Sequence, residues 1–105
     1  MIVRSYEGKR KQFKGVTFDV LATSNRSMIT EMYYKTKDHV GFHRHPNEQC
    51  GYIISGKIRM RFDTYDEILE TGDSYIIPEN TDHSIDATED TELIDFFGPP
   101  RKDYK

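Results

Sequence analysis

The chain has 105 residues, 35% of them hydrophobic and 31% charged, and its formal net charge is −3. This length predicts one small domain, and the acidic balance provides no basic field that would attract nucleic acid. No apolar run approaches the roughly 20 residues of a membrane span, and Met1–Arg4 lacks the apolar core of a signal peptide. We therefore expect neither a nucleic-acid nor a membrane partner.

Size and cysteine content bear on assembly and location. A domain this short buries little more than about 60% of the surface of its unfolded chain, which leads us to expect a homodimer. Cys50 is the single cysteine, so no internal disulfide can form. A lone thiol fits a reducing cytoplasm, the location we expect, and Cys50 itself should pack as a small buried hydrophobe.

Strand patterns follow one another along the chain, with no helical period. We interpret residues 1–14, which include the basic run Lys9-Arg10-Lys11, as a solvated N-terminal arm, residues 15–98 as the barrel and residues 99–105 as a polar C-terminal tail. Alternating, β-branched and aromatic residues predict the strands Val16–Ala22, Met28–Tyr34, Val40–His45, Gly51–Ser55, Lys57–Phe62, Glu67–Glu70, Ser74–Ile77, His83–Ala87 and Thr91–Phe97. Eight or nine short strands predict an all-β sandwich or barrel.

The segment that begins His43-Arg44-His45 suggests a metal site. Histidines one residue apart on a strand point to the same face, because strand side chains alternate. Imidazole is the commonest side-chain metal ligand, and His83 follows downstream. The pattern predicts an open metal centre inside a β-barrel; the alternative is a pair of surface histidines on a loop. His39 should lie at a loop or rim, and we leave it outside the ligand set.

Two spaced motifs resemble those of the cupin superfamily. The first, G-x5-H-x-H-x3,4-E-x6-G, is matched in spacing by His43, His45, Gln49 and Gly56, and the second, G-x5-P-x-G-x2-H-x3-N, by Gly72, Pro78, Asn80 and His83. The resemblance implies a single-domain double-stranded β-helix, or jelly roll, with one divalent transition metal held by His43, His45, Gln49 and His83. Gln49 replaces the glutamate of the motif. Glu48 is the alternative ligand, but strand alternation favours Gln49.

A narrower resemblance is to the small cupins of the pectin-degradation type. The pattern His-x-His-Pro-x-Glu-Gln-x-x-Tyr begins at His43, and the segment from Asp95 to Arg101 is similar to the D-x-F-x-P-P-R stretch near the end of those proteins. The resemblance implies that Asp95, Phe97 and Arg101 line the pocket. It also implies the ring opening of 4,5-unsaturated monouronates to linear keto acids. The terminal stretch recurs, however, in small cupins of unassigned function.

Each of these residues has a chemical role to offer. The implied ligands are neutral, so a divalent ion keeps its full charge, and nitrogen and oxygen ligands suit Ni²⁺, Zn²⁺, Mn²⁺ or Fe²⁺. Asp95 is the candidate general acid/base, Phe97 a wall for a sugar ring, and Arg101 a bidentate partner for a carboxylate. The alternatives are a solvent-facing Asp95, a Phe97 that only packs and an Arg101 in a solvated tail. We expect Tyr52 and Tyr75 to serve packing.

Three functions are compatible with these patterns. The first is a metal-dependent enzyme acting on a small anionic substrate, a carboxylated sugar or keto acid, with uronate ring opening as its sharpest form. The second is a metal-dependent oxygenase or isomerase on another small molecule, although facial-triad iron oxygenases use a carboxylate ligand that this site lacks. The third is a non-catalytic metal- or ligand-binding module, since a fold does not fix a function.

Overall fold

Ten strands form two antiparallel sheets in the computed structural model, which describes residues 1–104. The strands are β1 (Lys9–Phe13), β2 (Val16–Thr23), β3 (Met28–Tyr34), β4 (His39–His43), β5 (Glu48–Ser55), β6 (Lys57–Phe62), β7 (Tyr65–Glu70), β8 (Ser74–Ile77), β9 (His83–Ala87) and β10 (Thr91–Gly98). The six-stranded sheet has the order β1-β2-β3-β10-β5-β8 and the four-stranded sheet the order β4-β9-β6-β7. A 3₁₀ turn, Lys102–Tyr104, follows β10. The predicted all-β jelly roll is confirmed.

Side-chain alternation places one face of each strand between the sheets. In β3 the even-numbered side chains from Met28 to Tyr34 are buried, whereas those between them are partly exposed. Burial of each large apolar side chain contributes about 1.5–3 kcal/mol. The core residues are Val16, Phe18, Val20, Met28, Met32, Tyr34, Val40, Ile53, Ile58, Met60, Tyr75, Ile77, Ile85, Ala87, Leu93, Phe97 and Tyr104. None of the helical structure within residues 1–104 is long and apolar enough to cross a membrane.

The N-terminal segment is part of the sheet, contrary to the expected solvated arm. Lys9–Phe13 pairs with β2 in register from Lys9↔Val20 to Phe13↔Val16. Because β1 is an edge strand, its charged side chains remain exposed or half-exposed. Such strands lack the strong apolar alternation that identifies a strand in sequence. The expected boundary at residues 14 and 15 falls in the turn between two paired strands.

The C-terminal tail is also folded against the barrel. The side-chain amide of Asn47 donates to the carbonyl oxygens of Pro99 at 2.6 Å and Pro100 at 3.2 Å. Beyond these prolines both Arg101 and Tyr104 are buried. The expectation of a polar, solvated tail is therefore wrong up to Tyr104, because the Tyr104 ring and the Asn47 amide anchor the tail to the barrel. Lys105 lies outside the described residues.

Candidate metal centre

Three histidines meet between the sheets near the end of the barrel that the tail covers. His43, the last residue of β4, and His83, the first of β9, are direct cross-strand partners. His45 lies two residues beyond the end of β4. One ring nitrogen from each of the three lies within 4.8 Å of the other two. The alternative of two surface histidines on a loop is therefore wrong, and strand pairing itself brings His83 to the other two rings.

A bulge in β4 sets the direction of these rings. The pairing with β9 runs His39↔Asp86 and Val40↔Ile85 and then resumes at His43↔His83, so β4 carries one extra residue. The extra residue turns Val40 inward together with His43 and leaves His39 outside, as bulges re-aim side chains. His39 instead pairs with Asp86. The predicted strand Val40–His45 thus ends two residues early, yet His45 still points inward.

Backbone carbonyls fix the tautomers of two of the rings. The Nδ1–H of His43 donates to the carbonyl oxygen of Gly41 at 2.9 Å, and that of His83 donates to the carbonyl oxygen of Thr81 at 2.8 Å. Because a carbonyl only accepts, each Nε2 keeps its lone pair, as a metal-binding histidine requires. Burial lowers the pKa of both rings, that of His83 to about 4, so both are neutral near pH 7.

Gln49 completes a set of four neutral donors. Its Oε1 lies 3.1 Å from the Nε2 of His45, and its side chain is buried. Glu48, the alternative ligand, is exposed on the opposite face of β5. Within residues 1–104, the Nδ1 of His45 is the one buried side-chain nitrogen or oxygen without a hydrogen-bond partner, and such unsatisfied atoms mark functional positions. Three neutral imidazoles and an amide oxygen fit a divalent transition ion.

Asp95 projects into the same interior from β10. It pairs with Gly51 of β5, two residues from the pair Phe97↔Gln49, so Asp95 and Phe97 share the inward face with Gln49. Asp95 is 1% exposed, and the hydroxyl of Tyr75 donates a short hydrogen bond to its Oδ1. Burial raises the pKa of Asp95 to about 6, against the lowering effect of that hydrogen bond. The alternative of a solvent-facing Asp95 is therefore wrong.

Gly51 makes room for the Tyr75 hydroxyl beside Asp95. A Cβ built on Gly51 would clash with the Cζ and hydroxyl of Tyr75 and would lie 2.7 Å from the Oδ1 of Asp95. Tyr75, expected only to pack, therefore also holds the candidate acid/base in place. The sequence contained one sign of this arrangement, since a glycine inside a strand often marks the close approach of another group.

Gly51→Ala is expected to destabilise the fold by about 1–3 kcal/mol, the usual cost of overpacking a core position. Tyr75 cannot yield without breaking its bond to Asp95. Chemical denaturation with urea measures the change. Gly41→Ala is the matched control in β4, because the nearest atom to its new Cβ would be the His39 Nε2 at 3.4 Å. An equal loss of stability in both variants would contradict the packing role of Gly51.

The C-terminal turn closes the site over Phe97 and Arg101. The Phe97 ring packs edge-on against His45 with 5.7 Å between centroids, and against Tyr104 with 5.5 Å. The guanidinium of Arg101 lies 4.0 Å from the centroid of the Tyr104 ring and donates to the Tyr104 hydroxyl at 2.9 Å. Its Nε and Nη2 donate to the two carboxylate oxygens of Asp103 at 3.1 and 2.6 Å. Arg101 is therefore not a solvated tail residue, and sequence patterns gave no indication of Tyr104 or Asp103.

Two cavities lie on either side of this turn. The inner one is about 10 Å³ and is lined by His43, Gln49, His83, Asp95 and Arg101 among others, which is room for about one water-sized group. The outer one is about 610 Å³ and is lined by residues that include His43, His45, Arg101 and Asp103. The turn therefore separates the small inner cavity from an open pocket that His43 and His45 line.

The comparisons with known proteins agree on the fold. No curated protein sequence matches the chain significantly. An RmlC-like cupin from Shewanella frigidimarina is 22% identical with a TM-score of 0.91, over 99% of this chain and 95% of that one. KdgF from Halomonas sp. is 23% identical with a TM-score of 0.89, over 100% and 98%. A predicted oxalate decarboxylase from Thermotoga maritima is 22% identical with a TM-score of 0.82, over 95% and 100%.

One family model matches the part of the chain that contains the histidine cluster. The Cupin_2 family, described as a cupin domain, matches residues 30–97, the span that runs from β3 to β10. That span contains His43, His45, Gln49 and His83 together with Asp95 and Phe97. The matched span covers more than half of the chain, and the two facing sheets enclose the histidines as the motif spacing predicted. The chain therefore belongs to the cupin family.

Proposed function

We propose that this cupin is a metal-dependent enzyme that opens the ring of a small 4,5-unsaturated uronate. The observation that carries the proposal is the convergence of five polar side chains on the 10 Å³ inner cavity. Three of them are candidate metal ligands, one is a buried carboxylate and one is a buried guanidinium. The likeness to KdgF from Halomonas sp. and the resemblance in motifs to the pectin-degradation cupins support the same activity.

Four neutral donors are available to hold the proposed metal. His43, His45, His83 and Gln49 would hold one divalent transition ion, and that ion would act as a Lewis acid on a substrate oxygen when bound. Since none of these donors carries a charge, the protein itself does not neutralise the ion. The buried Arg101 guanidinium adds a further positive charge beside the same cavity. Together these charges favour an anionic substrate.

Asp95 is the group that we assign to proton transfer. In its ionised form it would accept the proton of the anomeric hydroxyl while the bond between the anomeric carbon and the ring oxygen breaks. The ring oxygen keeps the electron pair of that bond as an enolate, and the proton then passes to C4. The products of this isomerisation are an aldehyde and a ketone on one open chain, so no oxidant or reductant is needed. Tyr75, whose hydroxyl donates to Asp95, would hold the carboxylate in place between the two transfers.

Phe97 and Arg101 supply binding and orientation. Phe97 is buried against His45 and would provide an apolar surface beside the sugar ring. Arg101 carries the fork of donors that matches a carboxylate in bidentate geometry. Positioning of this kind lowers the barrier by holding the reacting atoms in place before the reaction.

Direct assay tests the activity. We expect the protein loaded with Ni²⁺, Zn²⁺ or Mn²⁺ to convert 4,5-unsaturated galacturonate into an open-chain product, which NMR detects by loss of the C4–C5 vinyl proton. Protein treated with a chelator should lose the conversion and recover it when metal is restored. Equal rates with and without metal-loaded protein would contradict the proposal.

The small volume of the inner cavity favours one second candidate, a non-catalytic metal-binding module. A space of about 10 Å³ holds no sugar while the C-terminal turn is in place. Stoichiometric metal without turnover of any unsaturated uronate would support this candidate. The homodimer and the cytoplasmic location stay predictions, and light scattering on the purified protein measures the first.

A further inference from the structure

The Arg101 guanidinium already binds a carboxylate of this chain, that of Asp103. Asp103 accepts from the Nε and the Nη2 of Arg101 at 3.1 and 2.6 Å. This is the bidentate geometry that a substrate carboxylate would adopt on an arginine. The two partners differ in exposure: the Arg101 side chain is 4% exposed and the Asp103 side chain 54%. Arg101 is thus a fixed part of the site, whereas Asp103 reaches it from the solvent side.

The turn that carries Asp103 also covers the inner cavity beside the histidines. Tyr104 is buried against the rings of Phe18 and Phe97, with centroids 4.4 and 5.5 Å away. Its hydroxyl accepts a hydrogen bond from the Nη1 of Arg101. Only the inner cavity of about 10 Å³ remains behind it. Gln49, His83 and Asp95 line this inner cavity, whereas the open pocket of about 610 Å³ is lined by His43 and His45. A ligand larger than a water molecule therefore reaches His83 and Asp95 from the open pocket only when Tyr104 moves, and it takes the donors of Arg101 only by displacing Asp103.

We propose that Asp103 is an internal competitor for the carboxylate-binding position on Arg101, so that an anionic substrate enters by displacing Asp103 and opening the turn Lys102–Tyr104. This inference rests on the proposed function, because it takes Arg101 as the residue that binds the substrate carboxylate. Asp103 is then a specificity-determining residue. A ligand with a carboxylate restores the ion pair that opening the turn breaks, whereas a neutral ligand leaves the buried Arg101 charge without a partner.

Binding of D-glucuronate, a stable saturated uronate, to the Ni²⁺-loaded protein tests this competition by titration calorimetry. Asp103→Asn removes the competing charge, and we expect it to bind D-glucuronate about 3- to 30-fold more tightly than the wild type, as the loss of a partly exposed ion pair would allow. In the double variant that also carries Arg101→Gln, the gain should disappear. D-glucose, which has no carboxylate, should show no gain.

Asp66→Asn is the matched control. Asp66 accepts from the Nε and Nη2 of Arg59 at 2.8 and 2.7 Å, and its side chain is 53% exposed. Like Asp103→Asn, this substitution removes one negative charge and one bidentate ion pair from a half-exposed carboxylate. It does so on the outer face of the four-stranded sheet, away from the site. We expect its affinity for D-glucuronate to equal that of the wild type. Affinity in Asp103→Asn that is equal to or weaker than in the wild type would overturn the proposal, and so would the absence of binding to every variant.

Hydrogen exchange on the wild type gives a second readout that needs no variant. The amide of Tyr104 donates to the Arg101 carbonyl oxygen at 3.2 Å, and this bond breaks if the turn opens. Saturating D-glucuronate should increase exchange across Lys102–Tyr104, and unchanged protection with bound ligand would contradict the displacement. Since neither experiment measures turnover, tighter binding without ring opening would contradict the proposed function alone.

Discussion

His83→Ala is expected to reduce the metal content of the purified protein from about one equivalent to background. Turnover should fall more than about 100-fold. Loss of one donor lowers the affinity of the site for the metal, and loss of the metal removes the Lewis acid. His83 is buried between His43 and His45, with ring centroids 4.2 and 5.0 Å away. Elemental analysis of untagged protein measures the first effect and the uronate assay the second.

The fourth histidine of the chain provides the control for this experiment. His39 lies on the outer face of β4 and pairs with Asp86, so His39→Ala should keep both metal and activity. Thermal unfolding monitored by circular dichroism shows whether His83→Ala retains the fold. Full metal content in a folded His83→Ala protein, or equal loss of metal from His39→Ala, would contradict the assigned site.

Asp95→Asn is expected to lower turnover by about 10²- to 10⁴-fold, the usual contribution of a positioned general acid/base. Metal content should remain unchanged, because the substituted side chain has nearly the same shape and Asp95 is not among the assigned ligands. The substitution removes the ability to take up and release a proton while Tyr75 still donates to the remaining oxygen. Steady-state kinetics should show the loss in kcat more than in KM.

Asp19→Asn is a matched control for the loss of this carboxylate. Asp19 also accepts a hydrogen bond from a tyrosine, the hydroxyl of Tyr33 at 3.1 Å, and it is also largely buried. It belongs to β2 but pairs with Arg10 on the outer face of the sheet, so we expect its turnover to equal that of the wild type. Turnover by Asp95→Asn within about threefold of the wild type would remove Asp95 from the mechanism.

Local patterns predicted most of the strands because burial on one face imposes a period of two. The predicted strand Met28–Tyr34 matches β3 at both ends, as do Lys57–Phe62 and Ser74–Ile77 with β6 and β8. The first strand was missed, since β1 is an edge strand whose polar side chains show no apolar alternation. The expectation that Cys50 packs as a small buried hydrophobe is wrong, because Cys50 is half-exposed on the outer face of β5.

The sequence alone determined the residue types of the site and the face on which most of them lie. Motif spacing indicated His43, His45, Gln49 and His83 as candidate ligands, and strand parity separated Gln49 from Glu48, because side-chain direction along a strand is a local property.

Contacts between segments distant in the chain were decided only by the tertiary structure. Three features of the site depend on pairing and packing across strands: the bulge in β4, the Tyr75 hydroxyl beside Asp95, and the turn that places Asp103 on Arg101. The contacts of Asp95 with Gly51 and Tyr75 show this dependence. Such contacts leave little periodic trace in a single sequence, because each involves one or two residues rather than a repeated pattern. For this reason the chemical groups were predictable, whereas the closure of the site was not.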